Sequence, residues 1–186
     1  MAKKAAEASI VSIPPSPWIA RWASLIEPGR PVLDIAAGEG RHTALLAARG
    51  HPVTAIDKDV TALAERFADA SGTVRIIQAD LEDDSPWPLA GETFAGIVVT
   101  NYLHRPLFAA LLAALGPGGV LLYETFMTGH ERYGKPSRPD FLLGDGELLD
   151  VARTGGLSVV AYEAGPVTMS HPAVLQRIAA RRVRFH

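Results

Sequence analysis

The chain has 186 residues, 48% of them hydrophobic, which suffices for one domain with a full core and is cramped for two. Its formal net charge of −2 gives no overall field toward nucleic acid or an anionic membrane. With no cysteine, disulfides, thiolate metal sites and cysteine nucleophiles are excluded, and no apolar run is long enough to span a bilayer.

Met1 to Glu7 carry charge with no sustained apolar run behind them, so residues 1–13 read as a flexible tail, not a signal peptide. Residues 14–186 read as one domain, and the cytoplasm is the expected location. Ser16 and Pro17 make a helix start, a side-chain cap followed by the residue whose missing N–H costs nothing there. Trp18, Ile19, Trp22, Leu25 and Ile26 then recur at helical spacing until Pro28-Gly29. Pro31 to Ile35 is a short apolar run and reads as a buried strand. Gly38 and Gly40 follow, where the chain can turn tightly and bring its backbone against a ligand. Arg41 to Arg49 reads as a helix with Ala44, Leu45 and Ala48 on one face and Gly50 closing it.

Pro52 to Ile56 is a second strand, and Asp59 can cap the helix after it, whose Leu63 and Phe67 face inward. Thr73 to Gln78 is a third strand, and Phe94 to Thr100 a fourth, nearly all apolar as befits burial on both faces. Pro106 to Leu115 is a helix stopped by Gly116-Pro117-Gly118-Gly119, and Val120 to Tyr123 a fifth strand. Residues 126–144 show no period, a length that marks a lid or binding loop. Asp145 to Arg153 is again helical, Leu157 to Tyr162 a strand, and Ala173 to Phe185 a last strand, pairing antiparallel. Strands alternating with helices make an α/β domain.

Three successive strands end in an acid: Asp34, Asp57 and Asp80. Each belongs at the carboxyl edge of the sheet, where open α/β sheets bind ligands. Asp57, about twenty residues past the glycine loop, can accept from both hydroxyls of a ribose. Asp80 can accept from an adenine amine, and Asp34 lies beneath the loop. Thr43 stands where a dinucleotide fingerprint needs its last glycine, and an acid at the loop repels a pyrophosphate. A cationic sulfonium with an amino-acid tail tolerates that acid.

Asp34-Ile35-Ala36-Ala37-Gly38-Glu39-Gly40 resembles the first motif of class I S-adenosylmethionine-dependent methyltransferases, and Leu115 to Gly119 resembles the turn into their fifth strand. Among subfamilies, the chain looks most like the small tellurite-resistance-type and general small-molecule methyltransferases. The resemblance implies a Rossmann-like three-layer αβα sandwich whose seven-stranded, mostly parallel sheet has its last strand antiparallel. It also implies S-adenosylmethionine as cofactor, S-adenosylhomocysteine as product, and a cofactor site of Asp34, Ala36, Gly38, Gly40, Asp57, Lys58, Asp80, Leu81 and Asn101. Two departures stand out. Ala36 replaces the first motif glycine, and Thr100-Asn101-Tyr102-Leu103-His104 replaces the Asn-Pro-Pro-Tyr type of tetrapeptide. The second argues against methylation of adenine or of glutamine side chains.

The acceptor is expected over the ends of the fourth and fifth strands, among Asn101, Tyr102, His104, Arg105, Glu124, Thr125 and the loop with His130, Arg132, Tyr133 and Arg138. His104 and Tyr102 are the candidate catalytic residues, His104 as base because it titrates near neutrality. Arg132, Lys135 and Arg138 either clamp an anionic acceptor or solvate a loop. The arginines of the last strand read as a solvated face more than an RNA contact. No His/Asp/Glu cluster has metal-ligand spacing. The expected partner is a small-molecule acceptor, without nucleic acid or membrane, in a monomer or homodimer. The alternatives are a non-catalytic module that binds the cofactor and an NAD-dependent oxidoreductase.

Overall fold

A computed structural model describes residues 13–183 apart from 71, 84, 169 and 170. Residues 1–12 of the expected tail at 1–13, and the last three residues, lie outside that description. The strands are β1 (Val32–Ile35), β2 (Val53–Asp57), β3 (Val74–Gln78), β4 (Phe94–Thr100), β5 (Leu115–Phe126), β6 (Leu157–Val167) and β7 (Ala173–Arg182). They form one sheet in the order β3-β2-β1-β4-β5-β7-β6. The β1–β2, β1–β4, β2–β3 and β4–β5 pairs are parallel, and β7 runs antiparallel to both β5 and β6. This is the expected three-layer α/β sandwich with one reversed strand.

Helices cover both faces: α1 (Pro17–Trp22), α2 (Arg41–Ala48) and α3 (Thr61–Arg66) on one side, α4 (Leu107–Ala114) and α5 (Glu147–Thr154) on the other. Alternate residues of the central strands divide between two clusters, as strand geometry dictates. Leu33, Ile35, Ile97, Val99, Leu121 and Tyr123 pack with Leu111 and Leu148. Val32, Val98, Val120 and Leu122 pack with Trp18, Ile19, Ile26 and Leu46. Full burial of each such aliphatic side chain stabilises the fold by about 1.5–3 kcal/mol. Gly96 of β4 is a glycine for packing reasons, since a Cβ there would stand 2.5 Å from Ile26 Cδ1.

Three local expectations change. The buried face of α2 is His42, Thr43 and Leu46, whereas Ala48 is exposed, because hydrogen bonds of His42 and Thr43 to the strand ends turn the helix. The Gly116–Gly119 run does not interrupt the chain as a turn. β5 already begins at Leu115, paired with Phe94, and a shift of register before the Gly96–Val120 pair absorbs the extra residues. Of the β7 arginines, Arg181 is exposed as expected, but Arg177 and Arg182 are half-buried. Arg177 lies between Glu124 and Glu163, Arg181 donates to the Leu25 carbonyl at 2.7 Å and Arg182 to that of Leu112 at 2.6 Å.

Candidate active site

The carboxyl ends of β1 to β5 form one edge, and the three strand-end acids lie along it in different surroundings. Asp34 is buried, and its Oδ2 accepts from the Thr43 hydroxyl at 2.6 Å, tying the end of β1 to the first turn of α2. Burial pushes its carboxyl up to about 7, against the lowering effect of the Thr43 hydrogen bonds. Asp57 is half-buried. Its Oδ2 accepts from the Gly38 backbone N–H at 2.8 Å and its Oδ1 from that of Asp59 at 3.1 Å. Asp80 is exposed and accepts from the Glu82 N–H at 3.0 Å, which shapes the turn after β3.

The loop between β1 and α2 explains the residue types of its motif. Ala36, Gly38 and Gly40 have φ of +51°, +56° and +75°, all in the left-handed region. Ala36 adopts it at a cost of roughly 1–2 kcal/mol, which the motif glycine avoids. The two glycines serve different ends. A Cβ on Gly38 would meet nothing within 4 Å, so that side of the loop is open to a ligand. A Cβ on Gly40 would stand 2.6 Å from Phe67 Cε2 and 2.7 Å from Leu63 Cδ2, so Gly40 is required for the approach of α3. Asn101, at φ +53°, turns the chain at the end of β4, its N–H bonded to the Glu124 carbonyl at 2.9 Å.

Two cavities open along this edge. One of about 180 Å³ is lined by Ala36, Asp57, Lys58, Leu81, Glu82 and Tyr102, among others. The other, of about 780 Å³, shares Lys58, Asp80 and Leu81 with it and continues between Trp87, His104 and Leu107. The two candidate catalytic residues are thus divided, Tyr102 in the smaller cavity and His104 in the larger. The Tyr102 carbonyl accepts from the Tyr123 hydroxyl at 2.9 Å, while its own buried hydroxyl faces the Glu82 carboxylate, and burial with that carboxylate raises its pKa.

Other expected acceptor residues are engaged within the protein. Arg105 donates to both Glu147 oxygens, at 2.7 and 2.9 Å, and to the carbonyls of Asp140 and Leu142, both at 2.9 Å. Buried Glu124 forms an ion pair with Arg177 at 2.8 Å, in contact but without hydrogen-bond alignment. Residues 126–144 contain two short 3-10 turns, His130–Arg132 and Pro139–Phe141. His130 fastens the first, accepting from the Val174 N–H at 3.3 Å and so donating from Nε2 to the Lys135 carbonyl at 3.1 Å. Gln176 fastens the far end through the Leu148 N–H and the Gly144 carbonyl. Arg138 pairs with Asp140 at 2.8 Å.

Sequence reasoning missed His42. Buried beneath the loop, its Nε2 accepts from the Ser16 N–H at 3.0 Å, which leaves the proton on Nδ1, 3.2 Å from the Thr100 hydroxyl. Burial, with a smaller effect from Arg41, lowers its pKa to about 4. A histidine just after a glycine loop carries no signal of this role. Only the fold brings α1 and β4 to it.

Glycine loop and strand order together define an α/β domain whose seven-stranded sheet has a reversed β7. Residues 32–119 match the family model described as a methyltransferase domain. TehB from Haemophilus influenzae superposes with a TM-score of 0.73 at 19% identity, over 88% of this chain and 61% of its own. The 1,6-didemethyltoxoflavin-N1-methyltransferase of Burkholderia thailandensis, with bound 1,6-didemethyltoxoflavin and S-adenosylhomocysteine, gives 0.68 at 22% identity, over 90% and 77%. The [4+2]-cyclase SpnF gives 0.65 at 15% identity, over 89% and 81%. No curated protein matches the sequence. Residues 32–119 thus resemble a methyltransferase domain, and the chain shares the fold of these solved structures. The chain spans 61% of the length of TehB.

Proposed function

We propose that this chain transfers the methyl group of S-adenosylmethionine to a small-molecule acceptor, releasing S-adenosylhomocysteine. The observation that carries the reading is the open side of Gly38 next to Asp57, at the mouth of a cleft that continues to Asp80 and Leu81. Its residues fit the cofactor. The Gly38 N–H and the loop above Asp34 suit the amino-acid end, Asp57 the ribose hydroxyls, and Asp80 with Leu81 the adenine. Lys58 and Asn101 complete the set, and Gly40 shapes it by admitting α3. The carboxylates disfavour a pyrophosphate, and with it NAD.

The methyl carbon is already activated by the sulfonium, so the protein's part is alignment in a dry pocket. Residues 126–144, fastened by His130, Arg105 and Gln176, serve in this reading as a fixed wall beside the acceptor. Support for a small acceptor comes from the Burkholderia neighbour, whose bound 1,6-didemethyltoxoflavin is itself small. SpnF marks the limit of the fold as evidence for chemistry. Among the described residues no helix is long and apolar enough to cross a membrane, and a cytoplasmic location is part of this reading.

The test is calorimetric titration with S-adenosylmethionine, S-adenosylhomocysteine and NAD in parallel, then an acceptor screen read by S-adenosylhomocysteine release. Binding of both sulfur ligands with NAD silent is the expected result. Binding of NAD alone overturns the reading.

A further inference from the structure

A cavity of about 610 Å³ lies at the edge of the sheet opposite the glycine loop, a volume in the range of small-molecule sites. β7 runs antiparallel to β5, so its last residues, Arg181 and Arg182, come to the amino end of β5 beside Gly118. The segment after α1 adds Leu25, Ile26 and Pro28 to the lining, and β6 adds Ser158 and Val160.

The two arginines give the cavity its charge. Neither forms an ion pair among the described residues. Each donates to one backbone carbonyl, Arg181 to Leu25 and Arg182 to Leu112, and the Arg182 Nε–H is buried without a hydrogen-bond partner. A guanidinium stays charged, and its remaining N–H groups suit the oxygens of an anion. Beside them the surface is apolar: Val160 and Val183 line the cavity and are 45% and 42% exposed. Val160 is the extra residue where β6 slips against β7 between Val159 and Ala161, and such a bulge re-aims a side chain. Glu27 is the acid of the lining, so two cations against one carboxylate leave a single positive charge.

We propose that this cavity binds a small organic monoanion, a carboxylate on a short apolar body. Arg181 and Arg182 take the carboxylate, and the body lies on Leu25, Pro28 and Val160. Glu27 disfavours a dianion, and the arginines disfavour a cation. The site stands at the far edge of the sheet from Asp57 and Gly38, so it holds whether or not the function proposed above does.

Octanoate, octanol and octylamine carry one apolar chain with an anionic, a neutral and a cationic head. Titrated into the isotope-labelled full chain, octanoate is expected to shift the amide resonances of Gly118, Ser158 and Val160 saturably. Octanol should bind about tenfold more weakly, and octylamine not at all. Arg181→Gln changes an exposed residue and should weaken octanoate binding about tenfold, the scale of a hydrogen bond to a charged group. Val160→Asp sets a negative charge at the rim, also at an exposed position, and should abolish binding. Amide dispersion reports whether each variant is folded, and if one is not, the other decides. The proposal is overturned if the three residues show no saturable shift, if the three heads bind equally, or if a folded variant binds octanoate as the wild type does.

Discussion

The Asp34 carboxylate and the Thr43 hydroxyl meet at 2.6 Å beneath the glycine loop, so a strand end and a helix start are joined by two side chains nine residues apart. Thr43→Val keeps the shape of the side chain and removes the donor, leaving a buried carboxylate short of a partner. Denaturant unfolding should show a loss of about 1–3 kcal/mol. An unchanged midpoint and slope would show that the bond is dispensable.

The same carboxylate and the nearby His42 set opposite pH dependences. Asp34, raised in the folded state to about 7 from 3.8, contributes stability that is fully present below its unfolded pKa and is lost as pH rises toward 7. His42, lowered to about 4 from 6.5, contributes stability present above 6.5 and lost as pH falls toward 4. Over the shared range the two oppose each other. Asp34→Asn should therefore make the protein lose stability more steeply on acidification than the wild type does. His42→Gln should leave a profile that falls as pH rises. Parallel profiles for all three proteins, by thermal unfolding between pH 4 and 8, would contradict the assignment.

The two loop glycines should fail in different ways. Gly40→Ala places a methyl group on Phe67 and Leu63 and should destabilise the fold by about 1–3 kcal/mol. Gly38→Val carries roughly 1–2 kcal/mol of backbone strain and no clash within the protein, so it should fold. Cofactor binding should nevertheless be abolished in that variant, because its side chain fills the open space. Calorimetry beside circular dichroism distinguishes the two losses.

Asp57 has two tasks in the structure, holding the Gly38 N–H and facing the cavity. Asp57→Ala should weaken S-adenosylmethionine binding by about 1–3 kcal/mol, the scale of unpaired hydroxyls. An unaltered dissociation constant would take Asp57 out of the ribose position.

Arg105 fastens the segment before α5 to the start of α4. Arg105→Met strands the carbonyls of Asp140 and Leu142 and the Glu147 carboxylate. Amide hydrogen exchange over residues 139–147 should quicken while that of β1 and β4 stays slow. Equal protection in variant and wild type would mean that Gln176 and His130 suffice.

What could be read from the sequence was what local pattern determines. The apolar run of Phe94 to Thr100 reproduces β4 to the residue, and the three acids fall on one edge of the sheet because strand ends and sheet edge coincide in this topology. What could not be read depends on partners distant in the chain. The buried face of α2 is chosen by His42 and Thr43 through Thr100 and Asp34, not by its alanines. Arg177 looks solvated in an alternating strand until Glu124 and Glu163 are placed on either side of it. Residues 126–144 lack periodicity because single side chains, not a repeating face, hold them. Nor does any sequence signal separate Gly38 from Gly40, since the difference is the position of Phe67.

The reversed strand β7 bears on synthesis. It follows every other strand in the chain, yet it lies between β5 and β6, takes the Trp18 indole N–H on its Ile178 carbonyl at 3.3 Å, and reaches Leu25 through Arg181. On a ribosome, α1 and the glycine loop emerge long before the strand that seats α1 against the sheet. The strands made earlier must wait with one flank of β5 uncovered until β7 has been made.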